Sequence, residues 1–199
     1  MLERGVVVSY ETIRAWTLKF GDVYARRLRR RRTRPGDTWH LDEVFLKING
    51  TLVYLWHAVD QDGEVLDILV QKRRSAKAAK RFFRRLLGGL SFVPRSIVTD
   101  KLAPYGAAHA ELMPLVAHRR GHRLNNRAEN SHQPTREREN RMRRFKSIGH
   151  AQRFLSAHGM VANHFRVARH ALSAGNYRTI MTSRFNEWRD VTAAGSFNV

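Results

Sequence analysis

The chain contains no cysteine, which excludes a disulfide framework and a thiolate zinc site and agrees with a reducing compartment. Acidic residues are scarce: 17 Asp plus Glu stand against 37 Lys plus Arg, a net charge of +20. Long apolar runs are missing as well. No segment approaches the roughly 18 consecutive apolar residues of a transmembrane helix, and the opening MLERGVVVSYE lacks the charged and then apolar layout of a signal peptide.

What is present is a foldable, strongly basic chain. Its 199 residues suit one catalytic domain with short extensions, and 42% hydrophobic content is enough for a core, so this is not a disordered basic tail. A pI near 11.5 points to nucleic acid, because neutralising phosphates rewards clustered Lys and Arg. A ribosomal or architectural protein satisfies the same composition. Three carboxylates stand out against this background: Asp42 in WHLDEV, Asp100 in SIVTDK and Glu129 in NNRAEN. An acid on a phosphate-binding surface repels its ligand unless a divalent cation stands between them, the arrangement used in metal-assisted phosphoryl transfer.

Ser9 can cap a helix YETIRAWTLKFG, with Ile13, Trp16 and Phe20 at helical spacing and Gly21 as its stop. Tyr10, Thr12 and Arg14 near its start suit the recognition helix of a partial helix-turn-helix over residues 1–24, although one amphipathic helix also serves simple packing. Arg26, Arg27, Arg29, Arg30, Arg31, Arg32 and Arg34 then crowd together before Pro35-Gly36. Like charges this dense resist compaction unless phosphates neutralise them, so 25–37 reads as a basic linker lying along a DNA backbone, or as a solvated one.

From Thr38 the pattern turns to strands. TWHLDEVFLKI and TLVYLWHAVD flank Asn49-Gly50, the strongest short hairpin signal, and Asp62-Gly63 introduces EVLDILVQK, completing a meander. Ser75 caps AKAAKRFFRRLLGGL, with apolar and cationic residues on opposite stripes and Gly88-Gly89 at its fraying end. After Pro94, RSIVTD reads as a buried strand parallel to an earlier one. Helices are expected from about Asn125, with Pro134 a kink or boundary, and from His150 to Leu172; the tail 173–199 is poorly patterned. The fold class is α/β, with a catalytic core over 38–172.

In its strand, Asp42 shares parity with Val44, Leu46 and Ile48, where an unpaired carboxylate is costly to bury. Asp100 ends its strand, where open α/β sheets collect ligands. If the two strands are neighbours, so are the two acids, and a shared divalent cation resolves their repulsion. Glu129 is the best third acid because Asn125-Asn126 can cap a helix carrying it; ion pairing with nearby Arg accounts for its rivals Glu137 and Glu139. Singly, each acid has a plainer role: Asp42 in a turn or ion pair, Asp100 as a helix cap, Glu129 as a helix-start charge. His40, Lys101, Arg127 and His132 are candidates for supporting or phosphate contacts, whereas Trp39 and Trp56 read as core aromatics.

The strings WHLDEV, YLWHAVDQDGEVLDILVQKRR, IVTDKLAPYGAA, LNNRAENSHQPTRERE and MRRFKS, in this order, closely resemble bacterial DDE-class insertion-sequence transposases, specifically the replicative family of insertion sequence six. The likeness covers about Leu2 to Ala171. It implies a ribonuclease-H-like, retroviral-integrase-like mixed sheet with flanking helices. It also implies Asp42, Asp100 and Glu129 as the catalytic and metal-binding triad, holding Mg²⁺ with Mn²⁺ able to substitute. The implied activity is 3′-end cleavage and strand transfer on double-stranded DNA, both transposon ends and target, by a homodimer or larger assembly in the bacterial cytoplasm at the nucleoid. DNA contacts are expected from Tyr10, Thr12, Arg14, Arg29, Arg30, Arg31, Arg32, Lys101, Arg127 and His132. Relatives begin upstream of ERGVVVSYETIR, so the chain reads as N-terminally truncated. A catalytically inactive DNA-binding remnant and a ribonuclease-H-like nuclease are the alternatives.

Overall fold

The Asn49-Gly50 turn organises the sheet. In the computed structural model, which describes residues 7–32, 34–121, 125, 144–167 and 172–193, both turn residues have positive φ, 48° and 80°. Paired positive φ matches the right-handed twist of the strands it joins, β1 (Thr38–Ile48) and β2 (Thr51–Asp60). The two pair antiparallel with Val44 opposite Leu55 and Leu46 opposite Val53. Asp60 then closes a second turn by accepting from the backbone N–H of Asp62 (3.0 Å) and Glu64 (2.9 Å) through Oδ1. That turn delivers β3 (Val65–Gln71), antiparallel to β2.

Ser75 accepts from the Ala78 N–H and starts α2 (Ala76–Leu90), which ends on Ser91 in the left-handed conformation. The chain returns as β4 (Ser96–Thr99), parallel to β1. It continues through α3 (Ala103–Leu112) into β5 (Ala117–Arg120), parallel to β4. The sheet order is β3-β2-β1-β4-β5. Helix α4 (Ile148–Phe165) and helix α5 (Ala174–Ala193) follow.

Period-two alternation sends each central strand's side chains to two apolar layers. Trp39, Leu41, Trp56 and Ala58 meet Phe82 and Phe83 of α2 and Tyr105 of α3 on one face. Val44, Leu46, Ile48 and Leu55 meet Phe145 and the first turns of α4 on the other. Trp39 and Trp56 are fully buried, as core aromatics.

The described residues divide into two compact units, 34–155, which contains the sheet, and 7–32 with 156–193, which is helical. In the helical unit α1 (Tyr10–Arg31) does not stop at Gly21 and runs through the arginines expected to form a linker. The reason is packing. A Cβ on Gly21 would lie 3.0 Å from the Ala157 Cβ, so the glycine permits close helix contact, and Ala25 and Leu28 bury among Ala157, Met160 and Val191. Arg is a good helix former, and Arg29, Arg30 and Arg31 in the last turn suit the negative end of the helix dipole. The poorly patterned tail forms α5 for a related reason: Val191 is fully buried and Trp188 meets Tyr24 edge-on at 5.6 Å. Helix α4 ends at Phe165 rather than Leu172. The helix expected from Asn125 lies outside the described residues, Asn125 itself excepted. Among the described residues no helix is long and apolar enough to cross a membrane.

Candidate active site

Parallel pairing of β1 with β4 ends at Leu41 opposite Thr99, so the next residues of the two strands, Asp42 and Asp100, emerge side by side. Beyond that pair β4 no longer covers the edge of β1. The Asn125 side-chain amide, buried to 1% exposure, takes up part of that edge by donating to the Leu41 carbonyl at 2.9 Å.

Asp42, Glu43 and Asp100 each offer a carboxylate oxygen, and the three oxygens lie within 4.8 Å of one another. Asp100 Oδ1 accepts from the Leu102 N–H at 2.9 Å, which orients the carboxylate and leads into α3. Glu43 has the parity of Trp39 and Leu41, which places it on the α2/α3 face with its side chain 2% exposed. Its Oε1 accepts from Arg74 Nε at 2.6 Å and also pairs with Nη2, and Arg74 Nη2 lies 3.8 Å from Asp100 Oδ2.

Burial raises the Glu43 pKa above the ordinary carboxyl value; the Tyr105 phenol and Arg74 pull it down, and the Asp100 charge adds to the rise. The fully buried Tyr105 phenol is pushed well above its ordinary value by burial first and then by Glu43, Asp42 and Asp100. Although Glu43 and Tyr105 influence one another, neither Glu43 Oε2 nor the Tyr105 hydroxyl completes a hydrogen bond of ordinary geometry. Three acids converging on so small a volume favour a cation, and all of their donors are hard oxygens suited to Mg²⁺ or Mn²⁺.

Of the residues expected at the site, Asp42 and Asp100 come together, Lys101 is exposed beside them and His40 is buried in β1. Glu129, Arg127 and His132 lie outside the described residues. Tyr10, Thr12 and Arg14 stand in the first turns of α1, Arg29, Arg30 and Arg31 in its last turn, and Arg32 at its C-cap. Glu43, Arg74, Tyr105 and Asn125 take part in ways sequence reasoning missed. For Glu43 a signal existed, a carboxylate with the parity of two core side chains.

A family model described as a DDE domain, of the IS240 transposase type, matches residues 36–168. The chain is 29% identical over 111 residues to the transposase for insertion sequence-like element IS431mec of Staphylococcus aureus strain Mu50, covering 56% of this chain and 49% of that protein. It is 28% identical over 110 residues to the Staphylococcus aureus transposase for IS257 in transposon Tn4003, covering 55% and 49%. The chain thus spans about half the length of the curated relatives it matches.

Two solved structures share the fold. The simian T-cell lymphotropic virus intasome in complex with PP2A regulatory subunit B56 gamma aligns with TM-score 0.51 and 18% identity, covering 72% of this chain and 54% of that one. The catalytic core domain of BIV integrase aligns with TM-score 0.50 and 13% identity, covering 77% and 99%. The mixed five-stranded sheet is therefore the ribonuclease-H-like fold of retroviral integrase cores, as the family resemblance implied. With the family match extending over more than half of its residues and Asp42 and Asp100 brought together on neighbouring strands, the chain belongs to the DDE transposases of the insertion sequence six family.

Proposed function

We propose that the chain carries the catalytic core of a DNA transposase that cleaves 3′ ends of an insertion sequence and joins them to target DNA. The observation that carries this reading is the placement of Asp42, within β1 just past the last residue paired with β4, beside Asp100 at the end of β4, with carboxylate oxygens within 4.8 Å, in a chain of DDE family membership. Asp42 and Asp100 would hold the divalent metal, with Glu129 as the third acid of the triad. The all-oxygen donor set, with three carboxylate oxygens within 4.8 Å of one another, fits Mg²⁺. When bound, the metal supplies Lewis-acid stabilisation of a phosphodiester and a more acidic nucleophile.

The remaining work is positioning, since phosphoryl transfer asks for little covalent chemistry from the protein. The Leu102 N–H holds the Asp100 carboxylate. Lys101, Arg127 and His132 would bind phosphates flanking the scissile bond, and the arginines closing α1 would follow the DNA backbone. Joining two ends to one target calls for a homodimer or larger assembly on DNA.

The experiment is strand transfer with oligonucleotides carrying the terminal repeats of the chain's own element, in Mg²⁺ and in Mn²⁺. Unmutated protein is expected to join ends to target, and Asp100→Asn is expected to fall to background while retaining DNA binding. Joining that survives Asp100→Asn sinks the assignment, and cleavage without joining points to a nuclease instead.

A further inference from the structure

The segment between β3 and α2 carries Lys72, Arg73 and Arg74 in succession, all exposed as residues. Arg74 alone of the three turns its guanidinium onto the acidic site, with Nε donating to Glu43 Oε1 at 2.6 Å and Nη2 reaching 3.8 Å from Asp100 Oδ2. It therefore touches two of the three carboxylates that approach one another within 4.8 Å. Its partners differ in character. Glu43 is buried, with 2% of its side chain exposed, whereas the Asp100 side chain is 15% and that of Arg74 42% exposed. A buried carboxylate is a strong anchor for a guanidinium, because separating them strands a desolvated charge, while the contact with the more open Asp100 is longer and is released without that cost.

We propose that Arg74 is an internal counter-ion of the acidic site, anchored on Glu43, which holds the carboxylates together without metal and competes with the divalent cation at Asp100. The proposal rests on the reading of Asp42 and Asp100 as metal ligands. Three converging carboxylates repel one another, and the guanidinium offsets part of that repulsion in the metal-free protein. A dication arriving at Asp100 meets the same guanidinium as a like charge, so Arg74 lowers metal affinity and swings away when the metal binds. Arg74 is thus a positioning residue whose charge sets the metal concentration at which the site fills.

The test is Mn²⁺ binding to the full chain, read by loss of the free-ion electron paramagnetic resonance signal. Arg74→Gln is expected to lower the Mn²⁺ Kd about tenfold, the scale of removing one unit charge a few Å from a surface site. The same variant is expected to melt at a lower temperature without metal. Arg74→Lys, which keeps the charge, should remain near the unmutated Kd. A merely structural arginine predicts the opposite sign, since a loosened site binds metal more weakly. Equal or weaker Mn²⁺ binding by folded Arg74→Gln overturns the proposal.

A second measurement needs no variant. Phenylglyoxal modification of Arg74 in the unmutated protein, followed by peptide mass spectrometry, should accelerate when Mn²⁺ is added; an unchanged or slower rate with Mn²⁺ bound overturns the proposal. Binding that Asp100→Asn abolishes but Arg74→Gln does not tighten removes only the role of Arg74. Mn²⁺ binding that persists in Asp100→Asn, or that is absent from both the unmutated and the Arg74→Gln chains, removes the metal site and the transposase reading with it.

Discussion

His118 is wired to the back of the site through Thr99. The Thr99 hydroxyl donates to the Asp100 carbonyl at 2.7 Å and lies 2.9 Å from His118 Nε2, so the neutral ring serves it as an Nε2–H donor. Burial first, then His109, whose ring centroid is 4.6 Å away, and Arg120 hold the His118 pKa down at about 4. The folded value is below the unfolded one, near 6.5, so between these values the unfolded chain binds the proton better. Stability from this residue is full above pH 6.5 and is lost as pH falls toward 4. Melting temperatures across pH 7 to 5 should fall more steeply for the unmutated chain than for His118→Gln; parallel curves would remove the assignment. Asn125 supports a second expectation at this scale. Asn125→Ala strands the buried Leu41 carbonyl, and leaving such a group unpaired costs about 1–3 kcal/mol by urea denaturation. Asn125→Asp should cost at least as much, because a carboxylate cannot donate and brings another acid toward Asp42. Asp42 and Asp100 were legible as candidates because each stands in a distinctive string, Asp42 within a readable strand and Asp100 at the end of one. Arg74 and Tyr105 were not, since a loop arginine and a helix tyrosine acquire their roles only when α2, α3 and β1 are packed together.

The hairpin, the meander, α2 and β4 follow from signals local to each segment, namely alternation, a two-residue turn and one apolar stripe. β5 carries no such signal: AHRR is polar and largely exposed, and is a strand only because the backbone of β4 offers an edge to pair with. The length of α1 was misjudged and α5 went unread because tertiary contact overrides local punctuation, and Gly21 reads as a stop only while Ala157, more than a hundred residues away in sequence, is out of view. The two glycines make opposite demands and can be tested together. Gly50 has φ +80° and open space within 4 Å of the position an added Cβ would take, so Gly50→Ala should cost only conformational strain, about 1 kcal/mol. Gly21 is helical, where alanine is intrinsically better by about 1 kcal/mol, yet its new Cβ would meet the Ala157 Cβ at 3.0 Å. Gly21→Ala is therefore expected to lower the melting temperature, because neither Cβ can rotate out of the contact. A raised melting temperature would show that the two helices separate freely.

A net charge of +20 gives the whole molecule a strong attraction for phosphate, which makes the acidic site an exception to the character of its surface. Binding to double-stranded DNA should weaken linearly in log–log form with salt, with a slope of about −0.9 per phosphate neutralised. The arginines closing α1 separate structural cations from those free to make that contact. Arg27 is committed to the fold, donating through Nη1 to the Val191 carbonyl at 2.5 Å, whereas Arg30 is exposed in the last turn. Arg30→Gln should make the salt slope shallower by about 0.9 and weaken binding equally across sequences, the signature of one lost phosphate contact. Arg27→Gln should leave the slope unchanged and lower the melting temperature instead. The two substitutions remove the same charge three residues apart on one helix, so net charge alone predicts identical salt curves for them. Divergent slopes, with a lowered melting temperature for Arg27→Gln alone, place DNA on the exposed face of this helix; coincident slopes would mean that charge acts as a diffuse field, and the arginines closing α1 would lose their particular role.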